Sequence, residues 1–192
     1  MERYQDKKVV IIGGTSGMGL ATAKMLMDGG ARVLVTGRSQ AGLESAQKEL
    51  GKDALVVSSD ARSLTDIDAL ASRVKAEFDT FDLLSVSAGF SIPTPLENVT
   101  AAVYDEMFNL NAKGPFFAVQ KLAPLMNRGG SIVLTTSVAN VKGLPGHIWS
   151  RQGCAAIIRS DARRRVASSG NSRQRGDARS RRHADHRQSV CR

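Results

Sequence analysis

Residues 7–137 predict an α/β fold with a doubly wound parallel sheet, and three features carry that expectation. Short continuous apolar runs recur along the chain, amphipathic stretches alternate with them, and the connections between the two are brief. Runs of this kind suit strands buried on both faces. Strict alternation with helices then implies neighbouring parallel strands joined by right-handed crossovers.

The first strand is "KKVVIIGG", Lys7 to Gly14, an apolar run closed by glycine. "MGLATAKMLM", Met18 to Met27, has helical periodicity and is stopped by Gly29-Gly30. "ARVLVTG" (31–37) is a second strand, "AGLESAQKELG" (41–51) a helix closed by Gly51, and "DALVVSSD" (53–60) a third strand. "SLTDIDALASRVKAEF" (63–78) opens with Ser63 and Asp66 at capping-box spacing and continues as an amphipathic helix. "FDLLSVSAG" (81–89) is the fourth strand, followed by the Pro-containing loop "FSIPTPLENVT" (90–100). One helix is expected over 101–126, bent near Gly114-Pro115, and then a fifth strand, "GGSIVLTTS" (129–137). The chain shows no internal repeat.

The 192 residues suffice for one domain with a sizeable core, and 42% hydrophobic content fits a globular protein. The net charge of +9 is unevenly placed. Residues 1–150 hold 15 Lys+Arg and 15 Asp+Glu, whereas residues 151–192 hold 12 Arg and 3 Asp. The expected division is therefore a neutral binding domain over 1–150 and an Arg-rich, disordered tail over 151–192. The tail interleaves no Phe or Tyr with its arginines, and no nucleic-acid-binding fold accompanies it, so nucleic acid is not the favoured partner. His183, His186 and Cys191 match no usual metal-ligand spacing, and no metal is expected. Both cysteines, Cys154 and Cys191, lie in the tail, which leaves the domain without a disulfide framework. The charged start "MERYQDKK" lacks a signal peptide's apolar core, and no run reaches the roughly 18 residues of a membrane span. A cytoplasmic setting and no membrane partner are expected.

The turn after the first strand is "GGTSGMG". Gly13, Gly17 and Gly19 let a backbone bend tightly and approach a pyrophosphate, and the following helix offers N–H groups and a partial positive charge. The loop, with Thr15, Ser16 and Met18, is a candidate dinucleotide cradle in a Rossmann-like fold. No Gly-Lys-Ser/Thr follows, which excludes a P-loop. At the end of the second strand, Gly37 stands where an acid would bond both ribose hydroxyls, and Arg38 and Ser39 follow. A permanently charged guanidinium suits a 2′-phosphate, so NADP(H) is favoured over NAD(H).

With these motifs in order, residues 5–147 resemble the short-chain dehydrogenase/reductase family. Asp60, in "SSDAR", matches the acid that contacts adenine, with Ala61 beside it. "SAG" stands where the family usually has Asn-Ala-Gly, so Ala88 and Gly89 match while Ser87 departs from the pattern. Asn111, in "NLNAKG", matches the asparagine of the proton relay, and Ser137 the serine that hydrogen-bonds the substrate carbonyl. The resemblance implies hydride exchange between NADP(H) and a small carbonyl or secondary alcohol. It also implies dimers or tetramers formed through the helices after the fourth and fifth strands.

The family's acid-base pair is a Tyr about a dozen residues after the Ser and a Lys four further on; the Lys makes a phenol of pKa about 10 usable near neutral pH. Those places read Ser150 and Cys154, and neither can substitute. The only tyrosines, Tyr4 and Tyr104, lie elsewhere, and no Lys follows Lys142. The genetic code offers an account. Trp149 is TGG, and triplets that start at the second base of each codon permit Tyr across Ile148/Trp149 and Lys across Gln152/Gly153. Continuing through Ala162, permitted readings include Tyr-Gly-x-Ala-Lys-Ala-Ala-Leu-Arg-Ser-Phe-Ala-Arg-Thr. A frameshift near His147 would then have replaced the later part of the family's chain, leaving the sheet incomplete at its C-terminal end, assembly not expected and dehydrogenase activity negligible. Sequencing codons 140–165 is expected to show Tyr and Lys codons one frame away; a shifted frame without them rules the account out.

Overall fold

The computed structural model describes residues 3–136. Five strands, β1 (Lys8–Ile12), β2 (Arg32–Gly37), β3 (Leu55–Ser58), β4 (Phe81–Val86) and β5 (Met126–Leu134), form one sheet in the order β3-β2-β1-β4-β5. Every pairing is parallel. Helices α1 (Gly17–Asp28), α2 (Gln40–Leu50), α3 (Leu64–Phe78), α4 (Ala101–Phe108) and α5 (Gly114–Leu122) lie between them in sequence. This is the doubly wound, Rossmann-like α/β fold expected from the sequence.

Why β1 shows no alternation of apolar and polar residues is visible in its surroundings. Side chains of a strand point to opposite faces in turn. Val9 and Ile11 join Leu20, Ala23 and Leu26 of α1 and Ala46 and Leu50 of α2. Val10 and Ile12 join Ile67, Leu70, Val74 and Phe78 of α3 and Ala118, Val119 and Leu122 of α5. Both faces are covered, so the four buried positions from Val9 to Ile12 are all apolar. Each large aliphatic side chain so buried stabilises the fold by about 1.5–3 kcal/mol.

Three helix starts are capped by hydroxyls. The Oγ atoms of Ser39 and Ser63 and the Oγ1 of Thr100 accept from the backbone N–H groups of Gly42, Asp66 and Val103. The capping box at α3 differs from the expected reciprocal pattern. Asp66 accepts the Ser63 hydroxyl at 2.8 Å, but its other oxygen takes the backbone N–H of Asp60 at 2.9 Å. The end of β3 is thereby tied to the start of α3.

The single helix expected over 101–126 is three segments. α4 stops at Phe108, a wide π turn occupies Asn109–Lys113, and α5 starts at Gly114. The break therefore precedes Gly114-Pro115. Pro115 has no N–H to give the carbonyl of Asn111 four residues back, and the ladder widens ahead of it. Gly114 donates instead to Asn109, five residues back. After a 3₁₀ turn at Ala123–Leu125 the chain enters β5 at Met126, ahead of the expected start at Gly129. Phe81 pairs with Met126 but Leu83 with Ser131, so β5 accommodates extra residues in a bulge between them.

Parallel pairing brings the carboxyl ends of all five strands to one edge. Chain order runs from β1 outward through β2 to β3, then returns to β4 on the other side of β1. The loops after β1 and β4 thus leave in opposite directions and open a crevice between them. Leu84 is fully buried in β4. Leu84→Ala is expected to lower unfolding free energy by about 2–5 kcal/mol, read as a shift of the denaturation midpoint.

Candidate functional site

The crevice is built from the glycine turn upward. Gly13 takes φ +80, and a Cβ there would lie 2.5 Å from the backbone nitrogen of Ala88, so the turn after β1 is set directly against the turn after β4. Both Ser87 and Ala88 donate their backbone N–H groups to the carbonyl of Ile12, at 2.8 and 2.9 Å. A Cβ on Gly19 would meet the carbonyl oxygen of Gly13 at 2.1 Å, so only glycine lets α1 begin this close to the strand.

This cradle suits an anion. Unlike the hydroxyl-capped starts of α2, α3 and α4, α1 receives no capping bond from its Ser16 side chain, and no acidic residue stands in its first turn. The first N–H groups of a helix have no partner within it and carry a partial positive charge. A Cβ on Gly17 would meet nothing within 4 Å, which marks open space at this point. Met18 beside it is 67% exposed. A phosphate group fits such a place.

The rim of the crevice at β2 and β3 is charged. A Cβ on Gly37 would come 2.4 Å from the Thr15 hydroxyl, so the side chain of Thr15 fills the place of any acid at the end of β2. Arg38 follows, exposed, and Ser39 serves as the α2 cap. Asp60, just past β3, is held in a fork by Arg62, with Nε 3.0 and 3.1 Å from its two oxygens and Nη2 2.6 Å from Oδ2. The Arg62 guanidinium holds the Asp60 carboxyl below the usual carboxylate range against the opposing effect of partial burial; the Arg62 backbone N–H and the positive charge of Arg38 act in the same direction. Reciprocally, Asp60 raises Arg62 above the usual guanidinium value. Ala61 is buried next to them.

On the other side of β1, Asn111 lies buried in the π turn. Its side-chain amide accepts from the backbone N–H of Phe90 at 3.0 Å and donates to the Phe90 carbonyl at 2.7 Å. Ser87, where the family pattern has Asn, lies 3.2 Å from the Thr135 hydroxyl, so it bridges β4 to the end of β5. The fold thus brings Gly13, Thr15, Ser16, Gly17, Met18, Gly19, Arg38, Ser39, Asp60, Ala61, Ala88, Gly89 and Asn111 to one sheet edge. Ser137, Ser150 and Cys154 lie outside the described residues. The sequence reading passed over Arg62 and the second bond of Asp66. Only the spacing D-A-R, which places a guanidinium two residues past the acid, hinted at the first. Among the described residues no group of His, Cys, Asp and Glu could hold a metal ion, and no helix is long and apolar enough to cross a membrane.

Comparison with known proteins gives this geometry a family. The profile of the short chain dehydrogenases matches residues 7–149. The oxidoreductase asL5 of Sarocladium schorii is 38% identical over 147 residues, covering 76% of this chain and 59% of that protein. Levodione reductase of Leifsonia aquatica is 30% identical over 171 residues, covering 83% of this chain and 64% of its own length. A crystal structure of a short chain dehydrogenase from Bacillus anthracis superposes with a TM-score of 0.73 at 26% identity, covering 83% of this chain and 68% of that one. The chain belongs to the short-chain dehydrogenase/reductase family, whose members use a nicotinamide dinucleotide. It spans about three fifths of the length of these curated relatives.

The depressed carboxyl of Asp60 sets a pH signature. Its contribution to stability is complete above the unfolded carboxylate value, about pH 3.9, and is lost as pH falls from there through the lower native value. Asp60→Asn is expected to cost about 0.5–1 kcal/mol at neutral pH, as befits a partly exposed pair. The gap to the parent chain, measured by urea denaturation, should close below pH 4 and stay constant from pH 5 to 8.

Proposed function

We propose that this chain is an NADP(H)-binding short-chain oxidoreductase, built for hydride exchange with a small carbonyl or secondary alcohol and impaired in the chemical step. The observation that carries the binding half is the glycine turn, where Gly13 lies tight against Ala88 while the α1 start, uncapped by side chains, faces open space at Gly17. In this reading the loop from Gly13 to Gly19 holds the pyrophosphate through backbone N–H groups. Asp60 and Ala61 receive the adenine, and Ala88 and Gly89 floor the crevice. Bound nicotinamide supplies or accepts the hydride.

Preference for the 2′-phosphorylated dinucleotide rests on two neighbours. Thr15 leaves no room for an acid at Gly37, whose charge would repel a phosphate, and the exposed Arg38 with Ser39 offers donors in its place. Ser137 is assigned to polarise the substrate carbonyl. Asn111 fixes the loop after β4 through its amide and stands where the family orders a relay water.

The impairment follows from chemistry. Ser150 and Cys154 stand where a phenol and an ammonium are needed, so no group there gives a proton to the substrate oxygen. Residues 1–150 then form the binding domain and 151–192 an out-of-frame tail, with no nucleic-acid or membrane partner, a cytoplasmic setting and no dimer or tetramer expected. That gap also favours a second reading, a catalytically inactive dinucleotide-binding protein. Turnover assays separate the two.

Calorimetry on the full chain is expected to show NADP⁺ binding more tightly than NAD⁺. Arg38→Ala should weaken NADP⁺ by about 10–100-fold, the loss of one charge-assisted contact, while NAD⁺ changes little. Absence of both heat and thermal protection with either nucleotide overturns the reading. Steady NADPH consumption with a panel of carbonyl compounds would overturn the impairment.

A further inference from the structure

Arg62 has two carboxylates within reach, and the way it holds the first has a consequence for the purine end of the crevice. A carboxylate offers about four acceptor positions. On Asp60 four contacts from Arg62 take them up: the backbone N–H on Oδ1 at 3.0 Å, Nε on Oδ1 at 3.0 Å and on Oδ2 at 3.1 Å, and Nη2 on Oδ2 at 2.6 Å. The same guanidinium also reaches Glu106 of α4, with Nη1 3.7 Å from Oε1. Both pairs are partly exposed, with side-chain exposures of 30% for Arg62, 27% for Asp60 and 47% for Glu106. Exposed ion pairs are individually weak, so an exchange of Arg62 between its two partners is within the reach of a ligand's own hydrogen bonds.

We propose that Arg62 is the specificity-determining residue for the purine base, exchanging the Asp60 carboxylate for that of Glu106 according to which ring edge arrives. The inference rests on the dinucleotide reading above and goes beyond it. With Arg62 on Asp60 the rim presents guanidinium N–H donors and no open acceptor; that surface matches a 6-oxo purine. With Arg62 turned to Glu106 the carboxylate of Asp60 keeps only the Arg62 backbone N–H on Oδ1, and its freed Oδ2 accepts the 6-amino group of adenine. Asp66 keeps Asp60 in register in both arrangements, because it binds the Asp60 backbone rather than its carboxylate. Glu106 is the alternative seat that lets the guanidinium leave without losing a partner.

The test is a ratio of affinities within one protein, so a loss of folded material cancels. Calorimetry compares NADP⁺ with nicotinamide hypoxanthine dinucleotide phosphate, whose base carries a 6-oxo group. The full chain is expected to bind the two within about threefold, because each base edge finds a partner. Arg62→Ala frees Asp60 and removes the donor, which should shift the ratio toward adenine by about tenfold. Glu106→Gln removes the alternative seat and should shift it toward hypoxanthine, and Arg62→Lys, unable to fork both oxygens, should fall between Arg62→Ala and the parent. If Arg62 only ties β3 to α4, its variants weaken both nucleotides alike, and an unmoved ratio overturns the proposal. If neither nucleotide binds the parent chain, the dinucleotide reading itself fails and this inference with it.

Discussion

Burial of β1 on both faces is the constraint from which the rest follows. Its five residues, Lys8 to Ile12, pair with β2 on one side and β4 on the other, and its apolar side chains alternate between two helix layers. A strand in that position cannot end in an exposed wandering loop. It ends in a turn compact enough for the Gly13 Cα to lie against Ala88. Hydrophobic patterning at the centre of the sheet thereby fixes, a few residues later, where N–H groups converge.

Away from that centre, charge takes over as the organising force. Asp60 stands among the Arg62 fork, the Asp66 carboxylate on its own backbone and the more distant Arg38. None of these groups is deeply buried, so water moderates each interaction and no single pair dominates. Such a rim is adjustable where the glycine turn is rigid. The crevice therefore joins a fixed steric floor to a wall whose donors and acceptors can be rearranged by small side-chain movements.

Much of the fold was legible in the sequence because the signals are local. Apolar runs, the Gly29-Gly30 stop and the Ser63 cap act within one turn of the chain, and they placed β1–β4 and α1–α3 to within a few residues. The glycine spacing placed the crevice for the same reason. The helix over 101–126 misled, since its periodicity continues through a π turn whose cause, the missing N–H of Pro115, acts on residues before it. The early start of β5 was hidden by a bulge that only pairing with β4 defines. Arg62, and the contact of Thr15 with Gly37, escaped notice because they depend on partners on other elements, Glu106 on α4 and Gly37 at the end of β2. The site's chemistry beyond Thr136 was read by resemblance and codon arithmetic alone.

The paired hydrogen bonds between Asn111 and the backbone of Phe90 imitate one rung of a sheet ladder. They pin the connection after β4 at Phe90, and a short 3₁₀ turn at Leu96–Asn98 leads the stretch from Ser91 to Val99 into Thr100, which starts α4. The described side chains of that stretch are exposed or half-buried, and none of them belongs to either core cluster. Substitutions along it therefore leave both helix layers around β1 untouched, so this connection is free to change its surface chemistry while the asparagine keeps Phe90 in place.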